Sequence, residues 1–422
     1  MYRFVSLLLI FILLFAVGCS NRGVNNDRNI YELQEGSYFT KEGAHPFTNE
    51  LSFQISNKFQ QLPLVAYWPK AAFPVQAGGE FKPVPMLVLL PPQDGDVNFY
   101  FSNGLKEIAD ELISTGAIQP MAILCVPNDQ FFGGYFFAGS SPAAGIYDSL
   151  IGDALIGFAQ DSFFITTINN QQNRAIGGIG MGAYGAYRAA MLHPGVFGSV
   201  SGAVGPMDFD GPNGDGGFRA LFDDVLAEQG ISGGVLNGNF RYRGAPYHLS
   251  RLFIGAGYAF SAHDTLIEAT TTYDAINDEI DFTITRRDTL PTFANYVTFN
   301  TATLPNNPSE RTYGFHLPFD SDGNETPLIW NRWLNNNLET ILANNPNSLD
   351  GINLWIGNST EVTFGNYGEQ TESWKNTLNS YPLINVNEFN FNGYSGHPAT
   401  TKQYVYDLIK EMLIFHSENF QN

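Results

Sequence analysis

The chain has 422 residues, 44% of them hydrophobic, and a formal net charge of −20 at pH 7. That length and content suffice for one large buried core, and the charge argues against nucleic acid or an anionic membrane surface as a partner. Only two cysteines occur, so no disulfide framework is expected.

The N-terminus reads as a processing signal. Met1-Tyr2-Arg3 is a short positive start, residues 5–17 are apolar, and Ala16-Val17-Gly18 leads to Cys19. The run is shorter than the ~20 apolar residues of a membrane span. It resembles a bacterial lipoprotein signal, which implies that residues 1–18 are removed and that Cys19 is lipidated. Residues 19–50 are then a tether and N-terminal extension, and 51–422 the folded domain. The remaining cysteine, Cys125, sits mid-strand and is expected to be a buried structural thiol.

From residue 62 onward strands and helices alternate, the pattern of a mostly parallel sheet flanked by helices. Strands are expected at 64–68, 84–90 and 121–126, each ending at or near a proline. Helices are expected at 103–114, with Leu105, Ile108, Ala109, Leu112 and Ile113 on one face, and at 147–158. A strand then meets a glycine turn and a helix in Arg174-Ala-Ile-Gly177-Gly178-Ile-Gly180-Met181-Gly182-Ala-Tyr184, and 200–204 is a further strand. Residues 208–349, rich in Gly, Asn, Asp and Thr, read as an insertion or cap, with short strands at 280–285 and 296–301 and a helix at 252–260. Regular order returns with a strand at 352–356, a helix at 371–379, a strand at 385–391 and a closing helix at 402–415.

These landmarks resemble the esterase branch of the α/β-hydrolases, which includes S-formylglutathione hydrolases, feruloyl esterases, enterochelin esterases and mycolyltransferases. The specific part is the block from Arg174 to Gly178, Met181-Gly182, Tyr184-Gly185-Ala186, His193-Pro194 and Phe197-Gly198, supported by Asn103-Gly104-Leu105, Asn128-Asp129 and Asp148-Ser149-Leu150. Leu317-Pro318-Phe319-Asp320 with Trp330-Asn331-Arg332-Trp333 is similar to a loop-helix segment of some bacterial members. The resemblance implies an α/β-hydrolase fold with a large insertion, and it makes the turn at Gly180 the nucleophile elbow, G-x-S-x-G.

Under that resemblance the catalytic positions are altered together. Gly180 stands where the serine would, and a glycine has nothing with which to attack a carbonyl. Thr360 falls at the acid position and Tyr394 at the histidine position. The loop that helps to build the oxyanion hole carries Pro91-Pro92, and proline has no N–H to donate. A one-residue slip of register would instead offer Glu361 and His397 as a pair able to activate water. Ser232, within Gly230-Ile-Ser-Gly-Gly234, matches G-x-S-x-G literally but follows a helical stretch at 218–229 instead of a strand.

Binding is expected at Pro91, Pro92, Phe131, Phe132, Tyr135 and Met181, around the mouth of the former pocket. The aromatic run Phe131-Phe132-Gly-Gly-Tyr135-Phe136-Phe137 suits contact with a sugar, a lipid or a protein, or else seals the pocket against the cap. The loops Asp208–Asp215 and Asp320–Glu325 carry oxygen ligands at alternate positions but do not complete a calcium pattern, so turn chemistry explains them. The histidines show no metal-ligand spacing, and no cofactor is implied. The sequence thus reads as an esterase-like lipoprotein of the bacterial cell envelope, exported and lipid-anchored, on the periplasmic or cell-surface face. Its expected role is non-catalytic binding or scaffolding, its partners being the membrane through Cys19 and a glycan, acyl or protein ligand. The alternative is an active carboxylic ester hydrolase using Ser232 or water activated by Glu361 and His397.

Overall fold

The structure is a computed structural model. It describes residues 38–39, 52–55, 58–61, 64–72, 82–126, 136–138, 151–152, 155–156, 170–231, 238–239, 249–261, 266–274, 279–288, 296–300, 312–359, 362, 364–390 and 402–421. The central sheet has eight strands: β1 (Tyr38–Phe39), β2 (Val65–Tyr67), β3 (Met86–Leu90), β4 (Ala122–Cys125), β5 (Arg174–Ile179), β6 (Ser199–Ala203), β7 (Asn353–Asn358) and β8 (Val386–Asn390). Their spatial order is β1-β2-β4-β3-β5-β6-β7-β8, and only β2 runs against the rest. This order, with its crossover between β3 and β4, is that of the α/β-hydrolase fold.

Burial explains the strand sequences. Every residue of β3 and β4 is buried, as befits parallel strands covered on both faces, which read as unbroken apolar runs. Strand β8 lies at the sheet edge, and its Val-Asn-Glu-Phe-Asn sequence is partly exposed. The observed β3 starts at Met86 and not at 84, because Pro85 has no N–H for the ladder; its carbonyl still accepts from Ala122 N–H. Cys125 is buried, and burial pushes its thiol well above the ordinary range, so it is unreactive.

The helices that matter for the site are α1 (Leu105–Ser114), α2 (Met181–Leu192), α3 (Phe222–Gln229), α4 (Leu249–Ser261), α5 (Pro327–Leu334), α6 (Leu338–Asn344), α7 (Tyr367–Asn379) and α8 (Lys402–Asn419). In α1 the expected face is buried through Leu105, Ile108, Ala109 and Leu112. Of the helix expected at 147–158, only 151–152 and 155–156 are described. The chain between β6 and β7 holds more regular structure than its composition suggests: besides α3 to α6 it forms a long hairpin, Leu266–Asp274 with Glu279–Asp288, and a small sheet built on Tyr296–Asn300 and Thr312–His316. Helix α4 is buried on all sides, the condition of a helix apolar all round. Helix α8 runs to Asn419, beyond the expected 415, and ends against Gln119, whose backbone N–H donates to Ser417 Oγ at 2.8 Å.

On the α8 side of the sheet, His416 is fully buried between two serines of β6, with Nδ1 2.8 Å from Ser199 Oγ and Nε2 2.8 Å from Ser201 Oγ. Burial disfavours the imidazolium and lowers its pKa to about 3. In the unfolded chain the ring would titrate near its ordinary ~6.5. Between those values only the unfolded state takes up the proton, so the contribution of His416 is complete above pH ~6.5 and falls by about 1.4 kcal/mol per pH unit below it. The stability difference between wild type and His416→Gln should therefore shrink by about 2–3 kcal/mol between pH 7 and pH 4.5 in denaturant titrations. A pH-independent difference would contradict the buried neutral ring.

Candidate functional site

The elbow forms because strand, turn and helix pack to backbone contact. At the end of β5, Gly180 adopts φ 60° and ψ −123° and caps α2. Its N–H donates to Ala203 O of β6 at 2.9 Å, and its carbonyl accepts from Ala183 N–H at 3.0 Å. A Cβ on Gly182 would lie 2.0 Å from Leu90 O of β3, and one on Gly178 would lie 2.3 Å from the Gly182 carbonyl carbon. Gly178 and Gly182 are thus demanded by packing whatever stands at position 180. Gly180 itself occupies a conformation that costs an L residue of order 1–3 kcal/mol, the kind of strain a protein keeps for function. With glycine there, the backbone geometry of an elbow persists and its strain is absent.

The loop after β3 faces the start of α2. Pro91 and Pro92 are buried, and Pro92 O accepts from Gly95 N–H at 2.9 Å. Tyr100 donates its hydroxyl to Leu90 O at 2.6 Å. Gln93, 2% exposed, accepts from the Tyr367 hydroxyl of α7 at 3.2 Å. Asp94 takes a left-handed φ of 61° and forms an ion pair with Arg251 of α4, each side chain being 8% exposed. Burial, and secondarily the negative charge of Asp94, holds the Tyr367 hydroxyl well above the usual phenol range. The loop that would supply an oxyanion donor is tied to α4 and α7 through its own side chains.

Aromatic rings fill the space over α2. Phe136 N–H donates to Met181 Sδ at 3.3 Å, and the Phe136 ring meets Tyr184 at 5.8 Å and Phe260 at 5.3 Å between centroids. Tyr184 stacks on Phe209 (5.6 Å), which stacks on Phe218 (4.8 Å), and its hydroxyl donates to Asn336 O at 2.7 Å. Of the aromatic run expected at the pocket mouth, Phe136 and Phe137 are buried, which for these two favours sealing over display. Phe131, Phe132 and Tyr135 lie outside the described residues. Pro91, Pro92 and Met181, where contact with a ligand is expected, are buried.

Thr360, Glu361, Tyr394, His397, Ser232 and Cys19 lie outside the described residues. The chain leading to Thr360 is held by Asn358, which donates to Glu372 Oε2 at 2.9 Å. Gly230, which opens the literal G-x-S-x-G match, is the left-handed C-cap of α3 and follows no strand. Both acidic loops are satisfied by the protein. Asp208 accepts from Asn337 Nδ2 (3.0 Å), Ser373 Oγ (2.5 Å) and Gly211 N–H (3.2 Å), and Asp320 from the N–H groups of Asp322 and Asn324, both at 2.9 Å. Burial, then the charges of Asp208 and Glu339, raises Asp210 to about 6. Among the described residues no group of three or more His, Cys, Asp or Glu could hold a metal.

Sequence reasoning missed the Asp94–Arg251 pair. One signal was present: Arg251 is the only charged residue in α4, Leu-Ser-Arg-Leu-Phe-Ile-Gly-Ala-Gly-Tyr-Ala-Phe-Ser, and a lone cation in a buried helix calls for an anion.

Residues 80–274 match the model of a family described as Putative esterase. Among solved structures the chain is similar to the fluorophosphonate-binding serine hydrolase F of Staphylococcus aureus, at 12% identity over 91% of this chain and 99% of that one, with a TM-score of 0.49. It is similar to an S-formylglutathione hydrolase from Agrobacterium tumefaciens at 11% identity, with 85% and 90% of the two chains covered and a TM-score of 0.44. Similarity to MPT51 of Mycobacterium tuberculosis is at 12% identity, 88% and 98% coverage and a TM-score of 0.41. No curated protein matches the chain in sequence.

Proposed function

We propose that this chain, an α/β-hydrolase fold resembling the esterase branch, has lost serine-hydrolase chemistry and serves as a non-catalytic binding or scaffolding protein of the bacterial cell envelope, anchored through lipidated Cys19. The observation that carries the reading is Gly180: the elbow turn is complete, and the residue at its apex has no side chain. An esterase lacking its nucleophile retains at most ~10³–10⁴-fold catalysis over water, and only while its oxyanion donors and binding pocket survive. Here Pro91 and Pro92 cannot donate, and the loop they begin is held by the Asp94–Arg251 pair.

Binding then falls to surfaces away from the elbow, for a glycan, acyl or protein ligand. Purified protein is expected to hydrolyse aryl esters and acyl thioesters at the buffer rate. Turnover that disappears on Glu361→Gln or His397→Ala would overturn the proposal. The anchor has its own check: Cys19→Ala should move the protein from the membrane to the soluble fraction of its host, and unchanged fractionation would contradict it.

A further inference from the structure

We infer that a groove between the C-terminal ends of α2 and α6 is a binding site for a neutral, polyhydroxylated ligand, a mono- or disaccharide. The groove has a volume of about 470 Å³, within the ~300–1,000 Å³ range of small-ligand sites. It lies at the foot of α2, so the 12 residues of that helix separate it from Gly180 by about 18 Å. It shares no residue with the elbow, and the inference stands independently of the proposed loss of catalysis.

Its chemistry selects the ligand. In a chain of net charge −20, none of the described lining residues is charged, so none of them would pair with a phosphate, a carboxylate or an ammonium group. One side is apolar, from Leu192 and Pro194; the other carries Asn344, Asn345, Asn347 and Ser348. The three asparagines are exposed, and each amide offers two donors and an acceptor, matching hydroxyls that also do both. Ser348 is 8% exposed and its Oγ has no hydrogen-bond partner. A buried hydroxyl without a partner is costly, and Ser348 is one of the residues that line the groove. The Leu192 and Pro194 surface can pack against the C–H face of a sugar ring.

The test is saturation-transfer difference NMR on the full protein with maltose, cellobiose and chitobiose. At least one should receive saturation, and Ser348→Ala and Asn347→Ala should each weaken it about fivefold, the usual worth of one neutral hydrogen bond, with an unchanged melting temperature. Absence of transfer to all three sugars would overturn the assignment, as would transfer insensitive to both substitutions. Equal or tighter binding of a neutral Gly-Ser-Asn peptide at the same residues would overturn the ligand class.

Discussion

Gly180→Ser should destabilise the protein and create no esterase. The new Cβ is forced into φ 60° and ψ −123°, which costs of order 1–3 kcal/mol. The introduced hydroxyl lies in a buried turn beside Met181 and the proline loop. Gly180→Ala serves as the control, since it should lose the same stability without a hydroxyl. Denaturant midpoints read the strain, and ester turnover reads the chemistry. If Gly180→Ser gained turnover well above wild type, only the nucleophile would have been lost and a working base would remain.

Arg251→Met should cost more, about 3–5 kcal/mol, because it leaves the Asp94 carboxylate buried without its cation. The pair joins the loop after β3 to α4, with each side chain 8% exposed, so solvent does little to soften the loss. Adding Asp94→Asn should recover most of it. That replacement removes the stranded charge and keeps a residue type that tolerates the left-handed φ of 61°. Urea denaturation of the two single variants and the double variant forms the required cycle. Additive losses would show that the two groups do not interact.

Much of the fold was legible because its signals are local. The all-apolar runs of β3 and β4 and the strand-glycine-helix block at 174–192 each carry their own pattern. The elbow was legible for the same reason, since Gly178, Gly180 and Gly182 answer to close approach and dihedral angle. The segment between β6 and β7 was harder: α6, Leu-Glu-Thr-Ile-Leu-Ala-Asn, is one short helix among asparagine-rich turns, and the Leu266–Asp274 strand reads as polar loop until its hairpin partner is known. At the site, the contacts that close the loop after β3 join residues far apart in the chain: Asp94 to Arg251, and Gln93 to Tyr367. Periodicity cannot report such pairs. The burial of Phe136 likewise depends on where Tyr184 and Phe260 stand.

Treating the folded wild-type protein with a fluorophosphonate probe, and locating any adduct by peptide mass spectrometry, shows whether an activated serine remains at the crest of this sheet. No adduct is expected in the folded chain, including at Ser232. Stoichiometric labelling of one serine, abolished by replacing His397, would contradict it.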